Sequence, residues 1–245
     1  MKHNLMIKIS IITINFNNAA GLKRTLESIK NLKCPDGIEL ESIVVDGASR
    51  DDSVDVIKSY SDTVTRYVSE PDKGIYDAMN KGIGMASGQW LNFMNSGDCF
   101  SNDAVFIELD KDGCLKDPNF SLIIGRNTKN GVISILHPLK VAKIGIIPGC
   151  HQSMFFRNIG HFYDINYRIY SDFDYFLKYY LAVPESVKQI EVVISDSEPD
   201  GIGQQVSSTK RKDKLNIMIK SFGVLHTISV YATLSFTKAL KVKCF

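Results

Sequence analysis

The chain has 245 residues, 44% of them hydrophobic and 23% charged, an ordinary globular composition that can bury one sizeable core and carry a small appendage. With 29 Lys and Arg against 27 Asp and Glu the net charge is +2, which gives no basis for a nucleic-acid surface. Five cysteines without a CxxC pair argue against a disulfide framework and fit a reduced, cytoplasmic chain, and no run reaches the ~18 uninterrupted apolar residues of a spanning helix.

"MIKISIITIN" (6–15) is a β-branched apolar run that predicts a first strand; Lys8 interrupts it and separates it from a leader peptide. "AAGLKRTLESIKNL" follows with Leu22, Leu26 and Ile29 at helical spacing. "IELESIVVDG" predicts a second strand, and "DDSVDVIKSY" a short helix opened by Ser49 and Asp52 in a capping-box variant. "VTRYVSE" reads as a third strand, "KGIYDAMNKGIGMAS" as a helix with Ile75, Met79, Ile83 and Ala86 on one face, and "QWLNFMN" as a fourth strand. Strands alternating with helices imply an α/β fold with a mainly parallel sheet covered on both faces.

The second half is less regular. "SNDAVFIEL" and "SDFDYFLKYYLA" read as helices, and "SLIIGR", "GVISILH", "IGII" and "VKQIEVVIS" as strands. Residues 196–214 carry turn residues and charge without an apolar period and read as a mobile loop. Glycines 201 and 203 would let it move, and Lys210 and Arg211 would then reach a bound diphosphate; a solvated charged loop is the plainer reading. The tail from Phe222 to Phe236 is apolar between lysines, which suits either contact with an anionic membrane or an ordinary packed C-terminal helix.

In an open parallel sheet, ligands bind at the carboxyl ends of the strands. Here those ends carry Asn15, Asp46, Glu70 and Asp98. No G-x-G-x-x-G follows the first strand and no G-x-x-x-x-G-K-[ST] occurs, so a dinucleotide dehydrogenase and a P-loop NTPase are both disfavoured. An acidic crevice suits a nucleotide whose ribose hydroxyls donate to carboxylates and whose diphosphate arrives with Mg²⁺ or Mn²⁺. Each of the four, taken singly, is also an ordinary turn residue. Asp172 and Asp174 stand in the first turn of a helix that Ser171 is placed to cap, and they point about 200° apart, so spacing alone leaves open which would serve as a base. His151 in "PGCHQSMFFR" is a candidate third metal ligand or acceptor contact, although a lone histidine is more often packed.

The stretches "ISIITINFNNAAGLKRTLESI", "ESIVVDGASRDDSVDVI", "EPDKGIYDAMNKGIGMASGQWLNFMNSGD" and "SDFDYFLKY" stand in the order and spacing of glycosyltransferase family 2. Over about residues 6 to 205 the chain resembles bacterial O-antigen and colanic-acid glycosyltransferases. The resemblance implies a GT-A domain over 1–205, with a basic loop and short helical extension over 206–245. It also implies an inverting transfer of a hexose, glucose or galactose by analogy, from a UDP-sugar to a glycan linked to undecaprenyl diphosphate. That work would be done at the inner face of the cytoplasmic membrane. On this resemblance Thr13 and Asn15 would line the nucleoside pocket and Asp46 would hold uracil or ribose. Asp77, Asn80 and Lys81 would lie near the nucleotide and sugar, Asp98 would face Mn²⁺ or Mg²⁺ and the diphosphate, and Asp172 would be the base. Many relatives spell the end of the fourth strand D-x-D; this chain has Asn95, Ser96, Gly97 and Asp98 there, leaving one carboxylate and the Asn95 amide beside the donor. A nucleotidylyltransferase would need a glycine-rich basic loop where "NFNNAAGLKR" stands. A non-catalytic nucleotide-sugar or glycan-binding protein is the alternative, supported only by the missing D-x-D.

Overall fold

The computed structural model describes residues 6–197 and 208–242, with 234–242 as backbone only. The first half alternates as the sequence predicts: β1 (Ile7–Asn15), α1 (Ala19–Lys30), β2 (Ile38–Asp46), α2 (Ser53–Ser59), β3 (Arg66–Ser69), α3 (Ile75–Met85) and β4 (Trp90–Phe93). These strands run parallel in the order β3-β2-β1-β4. β1, β2 and β4 are buried along nearly their whole length, the condition that favours continuous β-branched runs over strict alternation. Register sets Asn15 opposite Asp46, and Asp46 opposite Ser69, so the polar residues at the strand ends lie side by side.

The second half adds β5 (Cys99–Phe100), α4 (Val105–Asp112), β6 (Leu122–Lys129), β7 (Val132–Ile133), β8 (Met154–Arg157), α5 (Ser171–Ala182), β9 (Val187–Asp196), α6 (Ser208–Phe222) and α7 (Val224–Val242). The sheet reads β3-β2-β1-β4-β8-β6-β9-β5, with β7 paired to β6. β8 enters antiparallel between β4 and β6, with Trp90 opposite Arg157 and Asn92 opposite Phe155. That reversal delivers the residues just before β8, His151 and Gln152, to the carboxyl end of β4.

Several local expectations are corrected. Only Val132–Ile133 of the predicted strand at 131–137 is strand, and both of its residues are exposed. "IGII" is no strand: a 3₁₀ turn over Leu139–Ile144 ends at Gly145 with φ 74°. Ser49 does not cap α2, because its hydroxyl turns back to Asp46, and Asp51 accepts from the Ser53 amide instead. Ser171 donates to the Asp164 carbonyl and makes no cap. The expected loop over 196–214 becomes helix from Ser208, so Lys210 and Arg211 sit on α6; Gly201 and Gly203 lie outside the described residues.

Two apolar layers cover the sheet. One packs α1 and α4, the latter through Phe106, against Trp90 and Phe155; the other packs α3, α5 and α6 around Phe93, Phe156, Phe173 and Phe176. Ile217 and Met218 of α6 are fully buried in the second layer. Gly88 marks the tightest approach to backbone, for a Cβ there would meet the Ser10 amide at 2.7 Å and the Lys8 carbonyl at 2.8 Å. Backbone cannot swing aside as a side chain does, so Gly88→Ala is expected to cost about 2 kcal/mol, read as a lower urea midpoint with unchanged slope.

Candidate active site

Asp46 is the hub of the crevice. Its buried carboxylate accepts from Asn15 Nδ2 (2.8 Å), the Ser49 amide (2.9 Å), Ser49 Oγ (2.5 Å) and Ser69 Oγ (2.6 Å). Burial alone pushes this carboxyl upward; the donors from Ser49, Ser69 and Asn15 outweigh it and hold the group below its ordinary value. The turns after β1 and β2 are tied to each other as well: the Asn17 amide donates to Ser49 Oγ at 2.8 Å and the Arg50 amide to Asn17 Oδ1 at 2.8 Å. Thr13 Oγ1 and Asn15 Oδ1 are buried here without a hydrogen-bond partner among the described residues.

One strand over, the Asn95–Asp98 turn is pinned from below by α1. Thr25 Oγ1 donates to the Asp98 carbonyl at 2.7 Å and accepts from the Gly97 amide at 3.0 Å. Gly97 has φ 105°, a conformation glycine adopts without strain. The Asp98 carboxylate is nearly buried and accepts from Gln152 Nε2 at 2.8 Å, a contact made possible by the reversed β8. Asn95 Oδ1 is buried and unpartnered among the described residues.

The α3 candidates have partners inside the fold. Asp77 accepts from the Lys73 amide at 2.9 Å. Lys81 pairs with Glu70 at 2.8 Å and donates to the Pro71 carbonyl. Asn80 spends both ends of its amide on the Tyr163 backbone, at 3.0 and 2.8 Å. His151 is enclosed: it stacks on Phe93, with ring centroids 5.2 Å apart, and its Nε2 lies 2.7 Å from the Tyr163 hydroxyl. Burial lowers its pKa to about 4, so the ring is neutral at pH 7. No group of three or more His, Cys, Asp or Glu gathers as a metal cage among the described residues.

The third cluster surrounds Asp172, at the start of α5. Burial raises its pKa to about 6, opposed by the Phe173 amide (2.9 Å from Oδ1), the nearby Lys210 ammonium and Tyr76. Lys210 lies 5.8 Å from the Tyr170 ring, so α6 delivers it to this cluster and not to a mobile loop; Arg211 is exposed on the same helix. Asp174 faces elsewhere: Lys220 reaches it at 3.1 Å and Lys178 at 3.6 Å. The chain entering α5 is gripped from both sides. Tyr76 Oη donates to the Ile169 carbonyl at 2.7 Å, while Asp213 of α6 accepts from the Arg168 and Ile169 amides at 2.8 and 3.1 Å.

A family model described as "Glycosyl transferase family 2" matches residues 10–114. An uncharacterized glycosyltransferase of Mycobacterium tuberculosis is 34% identical over 207 residues, spanning 80% of this chain and 76% of the relative. The chain belongs to glycosyltransferase family 2. Its fold matches that of Staphylococcus aureus TarS in complex with UDP-GlcNAc, with a TM-score of 0.69 at 15% identity. The match covers 88% of this chain and 66% of that one, so the chain spans slightly less than two thirds of that neighbour. Glucosyl-3-phosphoglycerate synthase from M. tuberculosis, in complex with Mn²⁺, UDP and glucosyl-3-phosphoglycerate, gives a TM-score of 0.65 at 16% identity over 89% of this chain and 81% of that one. The glycosyltransferase therefore has the GT-A fold, a mixed sheet flanked by helices, as the sequence implied.

The donor atoms present suit a hard divalent cation. At the end of β4 the glycosyltransferase offers the Asp98 carboxylate and the orphaned Asn95 amide oxygen, both oxygens of the kind Mg²⁺ and Mn²⁺ prefer. Two protein oxygens are only a partial shell, so a cation held there would need its remaining ligands from outside the protein.

Sequence reasoning missed Ser49, Ser69, Tyr76 and Gln152. Ser49 carries a local signal, three residues after Asp46 in "DGAS", the spacing of an aspartate that accepts from its own turn. The other three come from elements that only the sheet order and helix packing bring near.

Proposed function

We propose that this glycosyltransferase moves a hexose from a UDP-sugar to a hydroxyl of a lipid-diphosphate-linked glycan, with inversion, in the synthesis of a surface polysaccharide such as O-antigen. The observation that carries the reading is the contrast between two carboxylates held with opposite electrostatics. Asp46 is held ionised by four donors, and Asp172 is lifted by burial to about 6 beside Tyr76 and Lys210. The first suits a fixed acceptor for uracil or ribose donors, with Thr13 Oγ1 and Asn15 Oδ1 as further polar atoms of that pocket. The second suits a general base, since its pKa lies close enough to neutrality both to be ionised and to take a proton.

In the proposed step Asp172 accepts the acceptor hydroxyl's proton as that oxygen bonds to the anomeric carbon. The bond from that carbon to the β-phosphate oxygen breaks, and its electron pair leaves with UDP. One base opposite the leaving group yields inversion. A divalent cation, when bound, neutralises charge on the departing diphosphate as a Lewis acid. Asp98, oriented by Gln152, and Asn95 are the residues assigned to hold it. His151 is assigned to packing, with Nε2 committed to Tyr163.

The test is incubation with UDP-glucose, UDP-galactose and UDP-N-acetylglucosamine, Mn²⁺ or Mg²⁺, and a synthetic GlcNAc- or GalNAc-diphosphate-lipid, with transfer followed by mass. Transfer from one donor, abolished by EDTA and restored by added Mn²⁺, is expected. Asp98→Ala is expected to lower transfer by about 10²-fold and raise the Mn²⁺ concentration needed. Transfer that survives EDTA would remove the metal assignment and leave the base intact. Failure of every donor with UDP still binding would favour a wrong acceptor or a non-catalytic binding protein.

A further inference from the structure

Charge is divided unevenly along this chain. Residues 208–245 hold eight Lys and Arg against the single Asp213, a net +7; the whole chain carries +2, so residues 1–207 carry −5. After Asp213 no acidic residue occurs. The same stretch bears large apolar side chains facing solvent. On α7, Leu225 is 86% and Ile228 61% exposed, flanked by Val224 and Tyr231, while Thr227 and Val230 form the buried side. On α6, Leu215 and Ile219 lie exposed at helical spacing from Arg211 and Lys212, which are exposed too. Only Gly223 separates the two helices.

An isolated exposed leucine is unremarkable, and an isolated lysine cluster is usually a solvated face. A run of exposed apolar side chains on two consecutive helices, set in a strongly positive segment whose single carboxylate, Asp213, is buried, is a different object. Its complement has fixed negative charge at its surface and an apolar layer directly beneath. No helix is long and apolar enough to cross a membrane among the described residues, so insertion would be shallow and parallel to the surface. We infer that the exposed faces of α6 and α7 dock on an anionic lipid bilayer, with Leu225 and Ile228 entering the acyl boundary and the basic residues meeting the headgroups. The inference rests on charge and exposure alone and does not depend on the proposed donor, acceptor or base.

The test uses the full chain, sedimented with vesicles of phosphatidylcholine containing about one-third phosphatidylglycerol, and with phosphatidylcholine alone. Partition onto the anionic vesicles is expected to be at least about tenfold stronger, and to fall steeply when salt is raised to about 0.5 M. Leu225→Ser combined with Ile228→Ser keeps every charge and removes the apolar part. It is expected to lower anionic-vesicle partition by about tenfold, with circular dichroism and unfolding midpoint unchanged because both side chains face solvent. Equal partition onto both vesicle types, full retention by the double variant, or no partition by the native chain would overturn the inference. So would a concentration-dependent dimer that the double variant dissolves while neither protein binds vesicles; that face would then meet a second copy.

Discussion

Asparagine in place of Asp172 is expected to cut glycosyl transfer by about 10³-fold while UDP affinity stays within about twofold, because the side chain keeps its shape and loses only its basicity. The substituted amide retains an oxygen for the Phe173 amide, so α5 keeps its first turn. On the proposed mechanism the active form of the native enzyme is the carboxylate. Transfer should therefore rise tenfold per pH unit below about 6 and level off above it, and the variant's residual rate should lack that limb. The same group makes an opposite prediction for stability. Its pKa is about 6 when folded against 3.8 when unfolded, so folding favours the protonated acid. The contribution is fully present below pH 3.8 and is lost as pH rises through 6. At pH 7 the ionised side chain costs about 3 kcal/mol, and Asp172→Asn should be more stable than native by that amount, with the difference vanishing below about pH 4. Urea unfolding across pH reads this directly. A variant both inactive and less stable at pH 7 would argue for a structural role instead.

Asp46→Ala is the second large effect, and here both readouts fall. Removing the carboxylate strands the Ser49 amide, the Ser49 and Ser69 hydroxyls and one end of the Asn15 amide in a buried site. Water will reach some of them, and a loss of about 3 kcal/mol in urea unfolding is expected at pH 7. Because the folded pKa is lowered, the native group's stabilisation is present above its unfolded value of 3.8 and disappears as pH falls through the folded one, so the two proteins should converge in strong acid. UDP binding should weaken by at least about tenfold by calorimetry at a temperature where both proteins are folded. Asp46→Asn separates the two effects: it keeps one acceptor oxygen and loses less stability, yet presents an NH₂ where a carboxylate oxygen stood.

The first half of the fold is legible because its signals are local and agree with one another. β-branched runs of strand length alternate with apolar residues at helical spacing, and each strand ends at a turn residue. Parallel order then brings Asn15, Asp46 and Ser69 together by register, which needs no further information once the strands are found. Beyond Asp98 the signals weaken. "MFFR" is four apolar-rich residues with no alternation, and nothing in it announces that it will insert antiparallel beside β4. The contact of Gln152 with Asp98 follows from that insertion and is accordingly invisible in the sequence. His151 stands out there as a titratable side chain, but it is enclosed by Phe93 from β4 together with Phe156 and Tyr163 from its own part of the chain, which only the insertion of β8 brings against β4. Lys210 reads as part of a loop because "SSTKRKDK" has no apolar period; its helix is fixed by Ile217 and Met218 further along, whose burial only the tertiary structure displays.

Ile169, three residues before Asp172, is bonded through its carbonyl to α3 and through its amide to α6. Such a residue behaves as a keystone: it cannot follow one neighbour without straining against the other. The Asp172 carboxylate thereby stands at a set distance from both α3 and the C-terminal helices. On the proposed bilayer-facing arrangement, this makes α6 a gauge. An acceptor presented from the surface would meet Asp172 at one elevation, and the hydroxyl that reacts would be chosen partly by how far its sugar stands above the lipid, before any contact with the sugar itself is made.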